Sequence, residues 1–184
     1  MKWSLTELRK NHRSEPLLFD ETLDLKADLM ARYGDEVLDL SPVHVTGTVS
    51  VIDGGDVVVT AQVIADLTVP SSRSLAPVDL PVNFSMTEFY VSDPAATQRF
   101  EKTDVVMVVS DDQVVLDKAV GDNIILQIPM HILSDAEKQG EAMPAGQDWQ
   151  VVAEADLEAV EKENQSVDPR LAKLKDFFPD QDDQ

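Results

Sequence analysis

Apolar and polar residues alternate with period two through the middle of the chain, and this alternation predicts a mostly antiparallel sheet. It is clearest after Pro42, where Val43, Val45, Gly47, Val49 and Val51 alternate with His44, Thr46, Thr48 and Ser50, the pattern of a strand buried on one face. Asp53-Gly54-Gly55-Asp56 separates this strand from an apolar run over 57–69. The glycine pair supplies the positive φ of a tight hairpin, with the aspartates as turn formers. Leu75 to Val91 reads as a strand pair or one long bent strand: Val78, Leu80, Val82, Phe84 and Met86 are in phase and Phe89 is out of phase. Pro77 and Pro81 mark an edge or a turn. The β-branched run over 105–109 predicts a buried strand, which Asp111-Asp112 turns back into residues 113–116.

Both flanks mix element types. Residues 2–13 predict a short strand or helix in which Trp3, Leu5 and Leu8 cover the edge of the core. Residues 17–25 predict a strand, and 26–33 a helix stopped by Gly34. Later, Asp117 is placed to cap a helix to Ile128 whose apolar face is Val120, Ile124, Ile125 and Ile128, with Pro129 as its stop. Residues 136–148 read as a loop and 149–163 as an acidic helix. Asp168-Pro169 opens a last helix with Leu171, Leu174 and Phe178 on one stripe. The expected fold is α+β, a mostly antiparallel sheet with partial closure into a barrel as the open alternative, and helices near 117–128 and in the C-terminal third. One domain is expected over 1–178, with the helix over 168–178 loosely docked and 179–184 an acidic tail.

Composition narrows the function. A chain of 184 residues that is 43% hydrophobic can build one real core. No apolar run approaches the roughly 18 residues of a membrane span, and the first residues lack the apolar centre of a signal peptide, so a cytoplasmic location is expected. Absence of cysteine excludes disulfides, thiolate nucleophiles and thiolate-bound zinc. The net charge of -20 is concentrated in residues 16–70 and 111–165, while residues 1–15 are net basic. Such a chain repels phosphate unless a local patch overrides its field, and the candidate patches are the first fifteen residues and Arg170, Lys173 and Lys175. The excess acid reads either as a solubility device or as a face for a basic partner.

Catalytic signals are missing. His12, His44 and His131 lie far apart without zinc-ligand spacing, and the glycine-rich phosphate loops and the GxSxG elbow are absent. The aromatic residues do not sit in the basic, glycine-containing setting of an RNA-recognition strand. A binding protein without cofactor, metal or small-molecule substrate is therefore expected ahead of an enzyme.

Three blocks, in order, resemble the YceD family of large ribosomal RNA subunit accumulation proteins. The first, running from Leu67 through Ser71-Ser72-Arg73-Ser74-Leu75-Ala76-Pro77-Val78, resembles the family's Cys-x-Arg-Cys-Leu-x-Pro motif. It retains Arg73, Leu75 and Pro77 and has serine at 71 or 72 and at 74 where cysteines are usual. The second, Asp122 through Pro129, is similar to the family's acidic, aliphatic helix ending in Leu-Pro. The third, Asp168-Pro169-Arg170-Leu171-Ala172-Lys173-Leu174-Lys175, is similar to its C-terminal Asp-Pro-Arg-Leu-x-x-Leu. Many members carry a second cysteine cluster after the Leu-Pro block, which residues 134–150 lack, so no metal site carries over.

The resemblance implies a non-enzymatic role in 23S ribosomal RNA accumulation or processing in a bacterial cytoplasm. The expected partner is a basic ribosomal protein or a pre-ribosomal large-subunit particle, with ribosomal RNA reached indirectly. Ser71, Arg73, Ser74, Pro77, Asp122, Pro129, Arg170, Leu171 and Leu174 are the candidate binding residues. Arg73 either orients backbone or a partner carboxylate, or belongs to a simple packing turn. Two alternatives remain: direct RNA binding through the basic N-terminal segment and Arg73, and an unrecognised hydrolase using acidic residues.

Overall fold

The computed structural model describes residues 1–139 together with 146, 147 and 151. The chain divides into two compact units, Met1–Ser134 and Asp135–Gln184. In the second, the described secondary structure is a single turn, α4 (Asp135–Lys138). The expectations for residues 149–163 and 168–178 fall outside the described residues.

The first unit is built on a six-stranded sheet. Its strands are β2 (Leu17–Leu23), β3 (Asp39–Leu40), β4 (Val43–Val51), β5 (Val57–Pro70), β6 (Pro77–Val91) and β7 (Val105–Val108). Their order is β2-β4-β5-β6-β7, with β3 beside the far end of β5. Every pair is antiparallel except β6 with β7. The sheet stays open, with β2 and β7 at its margins. A second sheet of two strands joins β1 (Lys2–Ser4) to β8 (Gln113–Val115).

The period-two pattern is the reason one face is dry. Val57, Val59, Ala61, Val63, Ala65, Leu67 and Val69 of β5 are buried together with Val43, Val45 and Val49 of β4 and with Val82 and Met86 of β6. Helices α1 (Leu5–Asn11), α2 (Lys26–Arg32) and α3 (Leu116–Ile125) add Leu5, Leu8, Leu29, Leu116, Val120 and Ile124 to the same cluster. Helices α2 and α3 pack closely at Gly121, where a Cβ would stand 3.3 Å from Leu29 Cδ2 and the leucine would have to shift by a few tenths of an ångström. The opposite sheet face is polar, tied by bonds from Thr68 to Asp79 (2.9 Å) and from Ser85 to Gln62 (2.6 Å). The four longest strands contain no lysine or arginine.

Residues 77–91 form one long strand, and its two prolines guard an edge. Pro77 pairs with Pro70, a pair that cannot exchange N–H bonds, and Pro81 lies four residues on in the same ladder phase. Both nitrogens therefore face away from β5, toward the side where β7 pairs only with 88–91.

Several local expectations are corrected. Residues 105–108 form a margin strand rather than a buried one, with Val105, Met107 and Val108 exposed. With a neighbour on one side only, β-branched residues here pair without being covered. Asp111-Asp112 sends the chain to the second sheet instead of back along β7. Asp112 also caps α1 from a distance: its carboxylate accepts from the Thr6 amide and hydroxyl (both 3.0 Å) and the Ser4 hydroxyl (2.5 Å). Asp117 caps nothing; Val115 holds the cap position, and Asp117 pairs with the Met1 ammonium in the first turn. Helix α3 ends at Ile125, although looser bonds from Gln127 and Ile128 carry the coil to Ile128. The glycine turn is as expected, with Gly54 and Gly55 at φ 87 and 81. Asp56, however, is buried and ion-paired with Arg99 at 2.5 Å, so it holds the 94–99 turn to the hairpin as well as shaping its own loop.

Candidate functional site

The first motif is the tip of the hairpin joining the two longest strands. Ser71 is fully buried, and its hydroxyl accepts the amides of Arg73 (3.1 Å) and Ser74 (3.3 Å). Its own amide and carbonyl close the loop onto Ala76 (2.8 Å) and Leu75 (3.1 Å). Ser74 is exposed and, among the described residues, its hydroxyl takes the Ala76 amide alone, at 3.3 Å. The two motif serines therefore differ in kind: one organises the turn from inside, the other decorates it. Leu75 is held at φ 61 and is 72% exposed, a left-handed conformation that costs a branched residue roughly 1 kcal/mol.

The segment that follows the second block meets this tip. The Ser72 amide donates to the Ile132 carbonyl (2.8 Å) and the Ile132 amide donates to the Ser72 hydroxyl (2.9 Å). This clasp brings the segment after Pro129 to the hairpin, with Pro77, Pro129 and Met130 all exposed. Asp122 lies elsewhere, on α3, where it receives Arg32 of α2 at 2.5 Å. Arg170, Leu171 and Leu174 fall outside the described residues.

The basic N-terminal segment and Arg73 do not share a patch. Arg9 sits at the other end of β5, donating to the Gly55 carbonyl (2.5 Å) and Ser92 (3.2 Å). Fourteen residues of strand separate that end from the 71–76 tip, on the order of 40 Å. Arg9, moreover, is already engaged by the Gly55 carbonyl and the Ser92 hydroxyl.

One constellation went unread in the sequence. Glu88 is buried, accepting the Tyr90 hydroxyl (2.7 Å) on one oxygen and the Asn123 amide (2.6 Å) on the other, while Asn123 also reaches the Ala119 carbonyl (2.9 Å). Burial first, and then the Glu88 hydrogen bond, push the Tyr90 phenol far above its ordinary value, so it stays a donor. The carboxylate borders a cleft of about 360 Å³ between β7, the 109–111 turn and α3. The available signal was phase: Val82, Phe84 and Met86 run inward, so Phe89 out of phase implies a charged Glu88 in phase. Phe89 packs on Phe100 at 4.9 Å on the other side.

A family model described as large ribosomal RNA subunit accumulation protein YceD matches residues 59–178. A Bacillus subtilis (strain 168) protein carrying the name "Uncharacterized protein YlbN" is 32% identical over 184 residues, covering 100% of this chain and 99% of that one. No solved structure matches.

Proposed function

Since the chain belongs to the YceD family of large ribosomal RNA subunit accumulation proteins, we propose that it promotes accumulation of the large-subunit ribosomal RNA in a bacterial cytoplasm by binding, without chemistry of its own. Its partner on this reading is a basic ribosomal protein, free or within a pre-ribosomal large-subunit particle, and RNA is reached through that protein.

The observation that carries the choice of a protein over RNA is the charge of the sheet. Its four longest strands present Asp20, Asp66 and Asp79 outward and hold no lysine or arginine. A phosphate backbone is repelled by such a face, whereas a cationic protein is drawn to it. Single-stranded RNA binding would further need exposed aromatic rings beside cations, and the exposed face offers mainly threonine, serine, glutamine and asparagine, with His44, Leu18 and Ile64 but no exposed phenylalanine, tyrosine or tryptophan among the described residues. We place the contact at the 71–77 tip, where Leu75 is strained and exposed and Ser72 is clasped to Ile132.

Sucrose-gradient fractionation of a low-salt lysate tests the reading, with the tagged protein followed and ribosome profiles compared with and without its gene. Co-migration with large-subunit precursors, together with depletion of mature large subunits on deletion, is the expected result. A protein that stays at the top of the gradient, with unchanged profiles, overturns it.

A further inference from the structure

The cleft beside Glu88 has a composition that polar surface alone does not explain. Its floor is a carboxylate only 5% exposed, held by two neutral donors, Tyr90 and Asn123. Among the described residues no lysine or arginine forms an ion pair with it. Its walls are Met107, Val108 and Val115, which remain 41%, 46% and 38% exposed. The rim carries Asp111, Lys118 and Asp122, and Asp122 is already joined to Arg32.

A buried carboxylate is costly without a counter-charge, and neutral donors only partly offset that cost. A carboxylate offers about four acceptor positions, of which Tyr90 and Asn123 use two. What would complete it is a planar cation with several donors and an apolar stem long enough to follow the exposed wall. That describes arginine, whose fork matches a carboxylate and whose head is weakly hydrated, better than lysine.

We propose that the cleft bounded by Glu88, Met107, Val108 and Val115 receives an arginine side chain of the basic partner, the guanidinium lying on Glu88 and the stem along β7. This rests on the reading that the partner is a basic protein. It adds an anchor on a different part of the fold from the 71–77 tip, made by residues that the family resemblance does not single out.

The test uses the full chain labelled with nitrogen-15, titrated in 150 mM salt with acetyl-arginine methylamide and, separately, with its neutral isostere acetyl-citrulline methylamide. Saturable shifts are expected at the amides of Val109, Ser110 and Lys118 with arginine, and at least tenfold weaker binding with citrulline. Glu88→Gln should weaken arginine binding at least tenfold. The citrulline comparison, made on the unaltered protein, gives an answer even if that variant folds poorly. Equal shifts from both probes, absence of shifts at the cleft, or shifts that persist in a folded Glu88→Gln protein would each overturn the assignment, the last by showing diffuse attraction to an acidic chain. Co-migration with large-subunit precursors combined with any of these failures would remove the arginine cleft and leave the proposed function standing.

Discussion

Replacing Ser71 by alanine separates the two motif serines in a way the sequence does not. The hydroxyl of Ser71 is buried and is the acceptor for two amides, at 3.1 Å from Arg73 and 3.3 Å from Ser74. A buried amide left without an acceptor costs about 1–3 kcal/mol, and an ordinary hydrogen bond contributes about 1 kcal/mol net. Because Arg73 is half-buried and Ser74 exposed, water recovers much of the second bond, and the expected loss for Ser71→Ala is about 1–2 kcal/mol. Ser74→Ala removes one long bond at an exposed position and should cost about 0.5 kcal/mol or less. Ser71→Cys, which brings in the residue usual in the family motif, keeps a weak acceptor and should fall between them. Urea unfolding followed by far-ultraviolet circular dichroism gives the differences, with the slope checked for constancy, and amide exchange over 71–76 should accelerate in Ser71→Ala alone. Equal losses for the two alanine variants, or a loss below 0.5 kcal/mol at Ser71, would show that the turn is held by its backbone and that the buried hydroxyl is incidental.

Three further outcomes are expected. Gly47→Ala would drive a Cβ into the Thr60 carbonyl oxygen and to 2.8 Å from the Phe19 ring, so urea unfolding should show a loss of about 3 kcal/mol, the upper end of ordinary overpacking. Arg99→Met leaves Asp56, 3% exposed, without its partner; half of Arg99 faces solvent, so thermal and urea unfolding should report about 2 kcal/mol rather than the larger cost of a fully buried pair. The Ser4 hydroxyl, then Thr6, hold the Asp112 carboxyl below its ordinary value of 3.8 against a partial burial that opposes them. Its contribution is therefore complete above that value and is lost as pH falls through the folded one. Urea midpoints between pH 7 and 3 should show this dependence shrink in Asp112→Asn, and an unchanged profile would remove Asp112 from the acid response.

Period-two patterning made the central hairpins legible because each strand faces a core on one side and water on the other. At 105–109, where the expectation rested on β-branched content and not on alternation, it failed, since a β-branched run looks alike whether a strand is enclosed or lies at a sheet margin. Helix starts were misread for a related reason. Asp117 has the right residue type at the right place, but the segment is entered straight from β8, and α1, whose own N-cap Ser4 takes the Glu7 amide, is held as well by Asp112, far away in sequence. Local motifs identify a capping residue only when donor and acceptor are neighbours in the chain. In the candidate site, the turn chemistry of 71–77 was visible as a motif, yet the division of labour between Ser71 and Ser74 depended on burial. The clasp to Ile132 was a long-range contact with no local signature. Glu88 could have been found by asking which residue an out-of-phase Phe89 pushes inward.

The distant cap on α1 also sets an order of events in synthesis. Ser4 and Thr6 are bonded to Asp112, and among the described residues β1 pairs with β8 alone. At about 5–20 residues per second, Asp112 follows Ser4 by roughly 5–20 s. In the later part of that interval residues 43–70 have been made and can pair as a hairpin, while the 5–11 helix still lacks Asp112 and its strand partner. The 2–11 segment can take its native contacts only once Asp112 and β8 have been made, so its docking waits on residues that lie 106 and 108 positions later in the chain.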